Sequence, residues 1–103
     1  SRLTPHVPMV LAYAVFDLHL PACRGLKEKR MIVKSLKTRI RHEFEISAAE
    51  VGGQDLLQRC ELGVAAVGPD QAPLDALLQN VLGFVESNLD GEILEYRNEF
   101  IHV

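Results

Sequence analysis

Residues 24–44 read RGLKEKRMIVKSLKTRIRHEF, a single helical repeat carrying two different faces. At about 100° per residue, Leu26, Val33, Leu36, Ile40 and Phe44 fall on one side, with Ile32 at its margin. Lys27, Arg30, Lys34, Lys37 and Arg41 follow one another at spacings of three and four, which is a second stripe on the same helix. The first face must be buried. The second must be solvated or must meet something anionic.

The flanks say what the apolar face lies on. Val10 to Leu20 alternates as a strand, with Val10, Ala12, Ala14, Phe16, Leu18 and Leu20 on the core side and Leu11, Tyr13, Val15, Asp17 and His19 on the other. Pro21 ends it, Gly25 serves as N-cap, and Glu28 suits the positive end of the helix. Beyond the helix, Ile46 to Val51 reads as a short strand. Gly52-Gly53 begins a turn, and Gln54 to Arg59 forms a polar loop interrupted by Leu56 and Leu57. Cys60 to Gly68 is a third strand, with Leu62, Val64 and Ala66 inward, and the second and third strands form a hairpin. Pro69-Asp70 turns the chain and Pro73 suits the first turn of a second helix. The buried stripe of that helix is Leu74, Leu77, Leu78, Val81, Leu82 and Val85. Asn88 to Gly91 is the exit turn. Glu92 to Val103 is a last strand, with Leu94, Tyr96, Asn98 and Phe100 on one side, and Asn98 interrupts that apolar series, so a bulge is expected there.

The order is β-α-β-β-α-β, the split βαβ arrangement. It predicts an α+β domain over residues 9–103, with a four-stranded antiparallel sheet and both helices on one face, because each crossover is right-handed. Residues 1–8, with Pro5 and Pro8 and no period, are expected to form a flexible N-terminal tail. The other face of the sheet is left open. It carries Leu11, Tyr13, Val15, Ala65 and Val67, a patch that predicts a homodimer or another cover.

Charge is distributed unevenly. Of 11 Lys and Arg, eight lie between Arg24 and Arg41 with Glu28 the only acid among them, so that segment is +7 in a chain of net charge −3. Amphipathic helices usually interleave Glu with Lys for i,i+4 pairs. Here that interleaving is nearly missing, which hints at a polyanion or an acidic partner. Lys29 is anomalous, since it points into the apolar side. Two readings stand: the stem snorkels with its amine at the rim, or the amine pairs with a carboxylate such as Glu50 or Asp55.

At 103 residues the chain can bury one core without staples. No apolar run reaches the length of a membrane span. Cys23 and Cys60 stand singly, which fits a reduced, cytoplasmic setting. His6, His19, His42 and His102 have no metal-ligand spacing, and no Gly-rich cofactor fingerprint occurs, so neither metal nor cofactor is expected.

The runs Leu26-Lys27-Glu28-Lys29-Arg30, Val33-Lys34-Ser35-Leu36-Lys37, Ala49-Glu50-Val51 with Ser47 before it, Gln54-Asp55-Leu56, Gln58-Arg59 and Leu62-Gly63-Val64 resemble the bacterial YlxP-like family, a domain of unknown function. The resemblance covers roughly Met9 to the C-terminus and implies a ferredoxin-like fold. Genes of that family often neighbour those for translation-initiation and ribosome-maturation factors, which implies a role near the ribosome or RNA. It carries no catalytic residue to transfer. Gly25 stands where the family usually has a Ser cap, and Leu57 where many members have Trp.

Three functions follow as expectations. The first is a non-catalytic RNA- or ribosome-binding module that uses Lys27, Arg30, Lys34, Lys37 and Arg41, with Gln54, Asp55, Gln58 and Arg59 as further contacts. The second is a homodimeric protein-interaction module using the open sheet face. The third is a phosphate-binding enzyme using Arg24, Gly25 and Lys27 at the helix N-terminus, where Cys23 would have a lowered pKa. The third strand lacks a polar group to orient water, which counts against the enzyme.

Overall fold

The structure, a computed structural model, describes residues 8–103; the tail expected over residues 1–8 lies, apart from Pro8, outside the described residues. The elements run β1 (Val10–His19), α1 (Leu26–Phe44), β2 (Ser47–Gly52), β3 (Arg59–Gly68), α2 (Gln71–Asn88) and β4 (Glu92–His102). The strands form one antiparallel sheet in the order β2-β3-β1-β4. This is the ferredoxin-like α+β fold that the element order predicts.

The alternation in β1 fixes the layering. Val10, Ala12, Ala14, Phe16 and Leu18 are buried, and the residues between them are half-buried on the open face. Cys60, Leu62 and Val64 of β3 join them under Val33, Leu36 and Ile40 of α1 and Leu74, Leu78, Val81 and Val85 of α2. α1 packs chiefly on β2, and α2 on β1 and β3. The helices meet through an edge-to-face pair, Phe44 and Phe84, with ring centroids 5.5 Å apart.

Three local expectations change. Leu26, expected on the buried face of α1, is 42% exposed; it opens the helix, before the buried stripe has reached the sheet. The bulge in β4 falls at Leu94 rather than Asn98. Asp17 faces Glu95 and Leu18 faces Ile93, so the extra residue sits between them and Ile93 replaces Leu94 on the inward face. A second irregularity lies at Val51, between Glu50 and Gly52 on β2. Arg59, assigned to the loop, is the first residue of β3.

Candidate functional site

The buried stripe of α1 runs Lys29, Val33, Leu36, Ile40. Anchoring it on the sheet turns the basic stripe outward, along the flank where α1 overlies the edge strand β2. Lys27, Arg30, Lys34 and Arg41 are exposed and Lys37 is half-buried. A shallow groove of about 360 Å³ follows this flank, lined by Arg30, Val33, Lys34, Lys37, Thr38, Arg41 and Glu50. Among the described residues Lys27, Arg30, Lys34 and Lys37 take part in no ion pair. Glu50 is the one carboxylate lining the groove. Arg41 differs from the other four, since its guanidinium donates to the Ala48 carbonyl of β2. Arg39 lies off the stripe, donating to Asn88 Oδ1 at 2.6 Å with its guanidinium over the Phe84 ring.

Glu50, which lines the groove, belongs to a buried polar cluster. Lys29 is 2% exposed. Its Nζ lies 3.1 Å from Glu50 Oε2 and donates to the Gly53 carbonyl at 2.5 Å and the Gln54 carbonyl at 3.5 Å. The snorkelling geometry is thus not adopted, because the β2–β3 turn closes over the amine and offers it carbonyl oxygens. Oε2 meets Lys29 as an ion contact without hydrogen-bond geometry. Cys60 lies beside the same carboxylate. Burial first, then the charge of Glu50, pushes its thiol pKa up to about 12.

The loop residues have structural tasks. Gln54 Nε2 donates to the Glu50 carbonyl at 3.4 Å. Gln58 Nε2 donates to the carbonyls of Pro21 at 3.2 Å and Cys23 at 3.3 Å, and so ties the β1–α1 loop to the hairpin. Arg59 grips Asp17 of β1 at 2.7 and 2.9 Å. Asp55 is exposed. Leu57 is half-buried against the core. The sequence offers Gln58 as a partner contact and gives no sign of the Ala48 carbonyl; the partners observed are backbone oxygens, which leave no mark in residue types.

The N-terminus of α1 is already answered by its own side chain. Gly25 gives no side-chain cap, and Glu28 Oε1 accepts the Arg24 N–H at 3.1 Å, placing a carboxylate where an anion would sit. The expectation of a lowered Cys23 pKa is reversed. The residue is buried, and burial raises its thiol pKa, with Glu28 adding to the rise.

On the open face the apolar and charged residues separate. Val67, Leu11 and Ile101 form one cross-strand row, and Val67 is 63% exposed. Ala65 is exposed, and Tyr13 and Val15 are half-buried. Towards β4 and the far end of the sheet the face turns polar: Tyr13 donates to Glu99, Arg59 pairs with Asp17, and His19 lies 3.1 Å from Glu92. Tyr13 is the face's one aromatic among the described strands, so a base-stacking platform on β1 and β3 is not built. Among the described residues no group of three His, Cys, Asp or Glu could hold a metal ion, and no helix is long and apolar enough to cross a membrane.

Comparison with known proteins places these features in context. A family model described as "Protein of unknown function (DUF503)" matches residues 11–98. The chain is also 42% identical over 63 residues to "Uncharacterized protein YlxP" of Bacillus subtilis (strain 168), an alignment covering 61% of this chain and 68% of that protein.

Proposed function

The chain belongs to the DUF503 family of proteins of unknown function, and we propose that it is a non-catalytic module that binds the phosphate backbone of structured RNA along the α1–β2 groove. The observation that carries this is the set of four cations, Lys27, Arg30, Lys34 and Lys37, with no ion-pair partner among the described residues of a chain that is otherwise acidic. Maintaining such a cluster disfavours folding by self-repulsion, and a polyanion relieves it. From Lys27 to Arg41 the stripe spans about 21 Å at roughly 1.5 Å per residue, enough to follow several phosphates along one edge of a groove.

The mode is shape recognition. Long cationic side chains touch phosphates and position the protein without reading bases. The open face lacks the paired aromatics with which β-sheets stack single-stranded bases. An A-form duplex, with its phosphates in regular rows, suits a rigid helix held by the Lys29 cluster below it.

The test is a binding titration with structured ribosomal RNA and ribosomal subunits across a salt series, comparing wild type with Arg30→Glu/Lys34→Glu. Both residues are exposed and form no ion pair, so folding is expected to survive. With four to five phosphates engaged, log affinity of the wild type should fall against log salt with a slope of about −3.6 to −4.5. The variant should lose most of its affinity. Equal binding by both proteins, or none by either, would leave the stripe as a solvated surface.

A further inference from the structure

We propose that two copies of this chain pair edge to edge through β4, antiparallel about a two-fold axis at Asn98, to form an eight-stranded sheet. This surface is separate from the α1–β2 groove and does not rest on what the groove binds.

The two sheet edges are treated differently. At β2 the Ala48 and Glu50 carbonyls are taken by Arg41 and Gln54, a bulge at Val51 interrupts the ladder, and the basic stripe of α1 stands alongside. Side chains and charge of this kind close an edge against strand addition. β4 is the opposite edge and runs 11 residues. Met9 and Val103 exchange hydrogen bonds at 3.4 and 2.9 Å. Two-residue periodicity then turns the backbone groups of Ile101, Glu99 and Arg97 towards β1, and those of Phe100, Asn98 and Tyr96 towards the open edge.

The helical layer stops short of this edge. α2 packs chiefly on β1 and β3. Tyr96 and Phe100 face the helix side but remain half-buried, and Asn98 between them is exposed. Asn98 is the residue that interrupts an otherwise apolar series. Within one copy its amide lies beside the Tyr96 hydroxyl.

Charge selects the register. Centred on Arg97, an antiparallel pairing sets Arg97 against Arg97 and Glu95 against Glu99. Centred on Glu99, it sets Glu99 against itself. Like charges directly opposite are destabilising. Centred on Asn98, Arg97 of each copy faces Glu99 of the other on the open face, at the closer, non-hydrogen-bonded spacing. On the helix face Tyr96 meets Phe100 twice, a favourable aromatic cross-strand pair. Asn98 meets its own copy on the axis, where each amide offers the donor and acceptor the other needs. A self-paired Asn of this kind fixes register in other assemblies. The arrangement also keeps the two basic stripes at opposite ends of the sheet, about 34 Å apart at roughly 4.8 Å per strand, whereas pairing through β2 would press them together.

The test is sedimentation equilibrium from low micromolar to about 100 μM protein, with circular dichroism to verify folding. Wild type is expected to dimerise. Arg97→Glu and Glu99→Arg should each weaken the dimer by at least about tenfold, since each creates two like-charge pairs. An equimolar mixture of the two variants should recover it, as should the double exchange. Asn98→Cys should form an intermolecular disulfide on mild oxidation, because hydrogen-bonded partners lie about 5.5 Å apart at Cα, within disulfide reach. A monomeric wild type across the range would overturn the proposal. So would a dimer that survives both single reversals, which would point to the open face carrying Val67 and Leu11.

Discussion

Replacing Lys29 with Met tests how α1 is held against the hairpin. The substitution keeps an unbranched side chain of similar length and removes the ammonium. Three oxygens then lose their partner: Glu50 Oε2 at 3.1 Å, the Gly53 carbonyl at 2.5 Å and the Gln54 carbonyl at 3.5 Å. Removing one member of a buried pair typically destabilises by about 3–5 kcal/mol, because the other charge is left uncompensated. Glu50 is 19% exposed, so water recovers part of that, and the lower end, about 3 kcal/mol, is expected. The domain as a whole should be stable by only about 5–15 kcal/mol. With a urea m-value of about 1.5 kcal/mol/M, the midpoint should fall by about 2 M. Glu50→Gln on its own should also destabilise, and Lys29→Met/Glu50→Gln should lose less than the sum of the two, with a coupling of about 1–3 kcal/mol. A Lys29→Met protein within about 0.5 kcal/mol of wild type, or strictly additive variants, would refute the view that this cluster anchors the basic helix.

Three further outcomes follow from the same structure. The Cys60 thiol is raised to about 12 in the folded protein from an ordinary 9.0. Above pH 9 the unfolded chain therefore releases the proton that the native state keeps, and stability falls as pH rises towards 12, by up to about 1.4 kcal/mol per pH unit. Unfolding at pH 8 and pH 10, against Cys60→Ala, measures this; an equal decline in both proteins would exclude Cys60 as its source. Both thiols should resist an aromatic disulfide reagent in the native protein at pH 8 and react on unfolding, since Cys23 and Cys60 are buried with raised pKa values. Gly91 has φ +157°, and a Cβ there would lie 2.2 Å from the His19 carbonyl oxygen, so Gly91→Ala should cost about 2 kcal/mol or more in the same unfolding assay.

Much of this architecture is legible in the residue types alone. The alternation of β1 and the two faces of α1 are dictated by burial on one side, and burial leaves a period in the residue types. Features that depend on which strand lies beside which leave none. The bulge at Leu94 is set by the β1–β4 register, and Asn98, the residue that looked irregular, sits in regular strand. Lys29 could be recognised as anomalous by its position on α1, but its environment depends on the fold of the Gly52-Gly53 turn. The Gln54 to Arg59 run looked like a binding loop because it is polar. Gln54 and Gln58 instead bind backbone carbonyls, and Arg59 binds Asp17. Arg41 appeared equivalent to the other four stripe cations until its contact with Ala48 set it apart.

The most direct test of the α1–β2 groove as an RNA surface is to map where RNA lands on isotope-labelled protein by amide chemical shifts, with a short A-form hairpin as ligand. Perturbations should concentrate on Lys27 to Arg41 of α1 and on Ala48 to Glu50 of β2 and fade as salt is raised. Perturbations centred on Tyr13, Val15 and Ala65 of the open sheet face would contradict the groove's role, as would a spectrum unchanged at saturating hairpin.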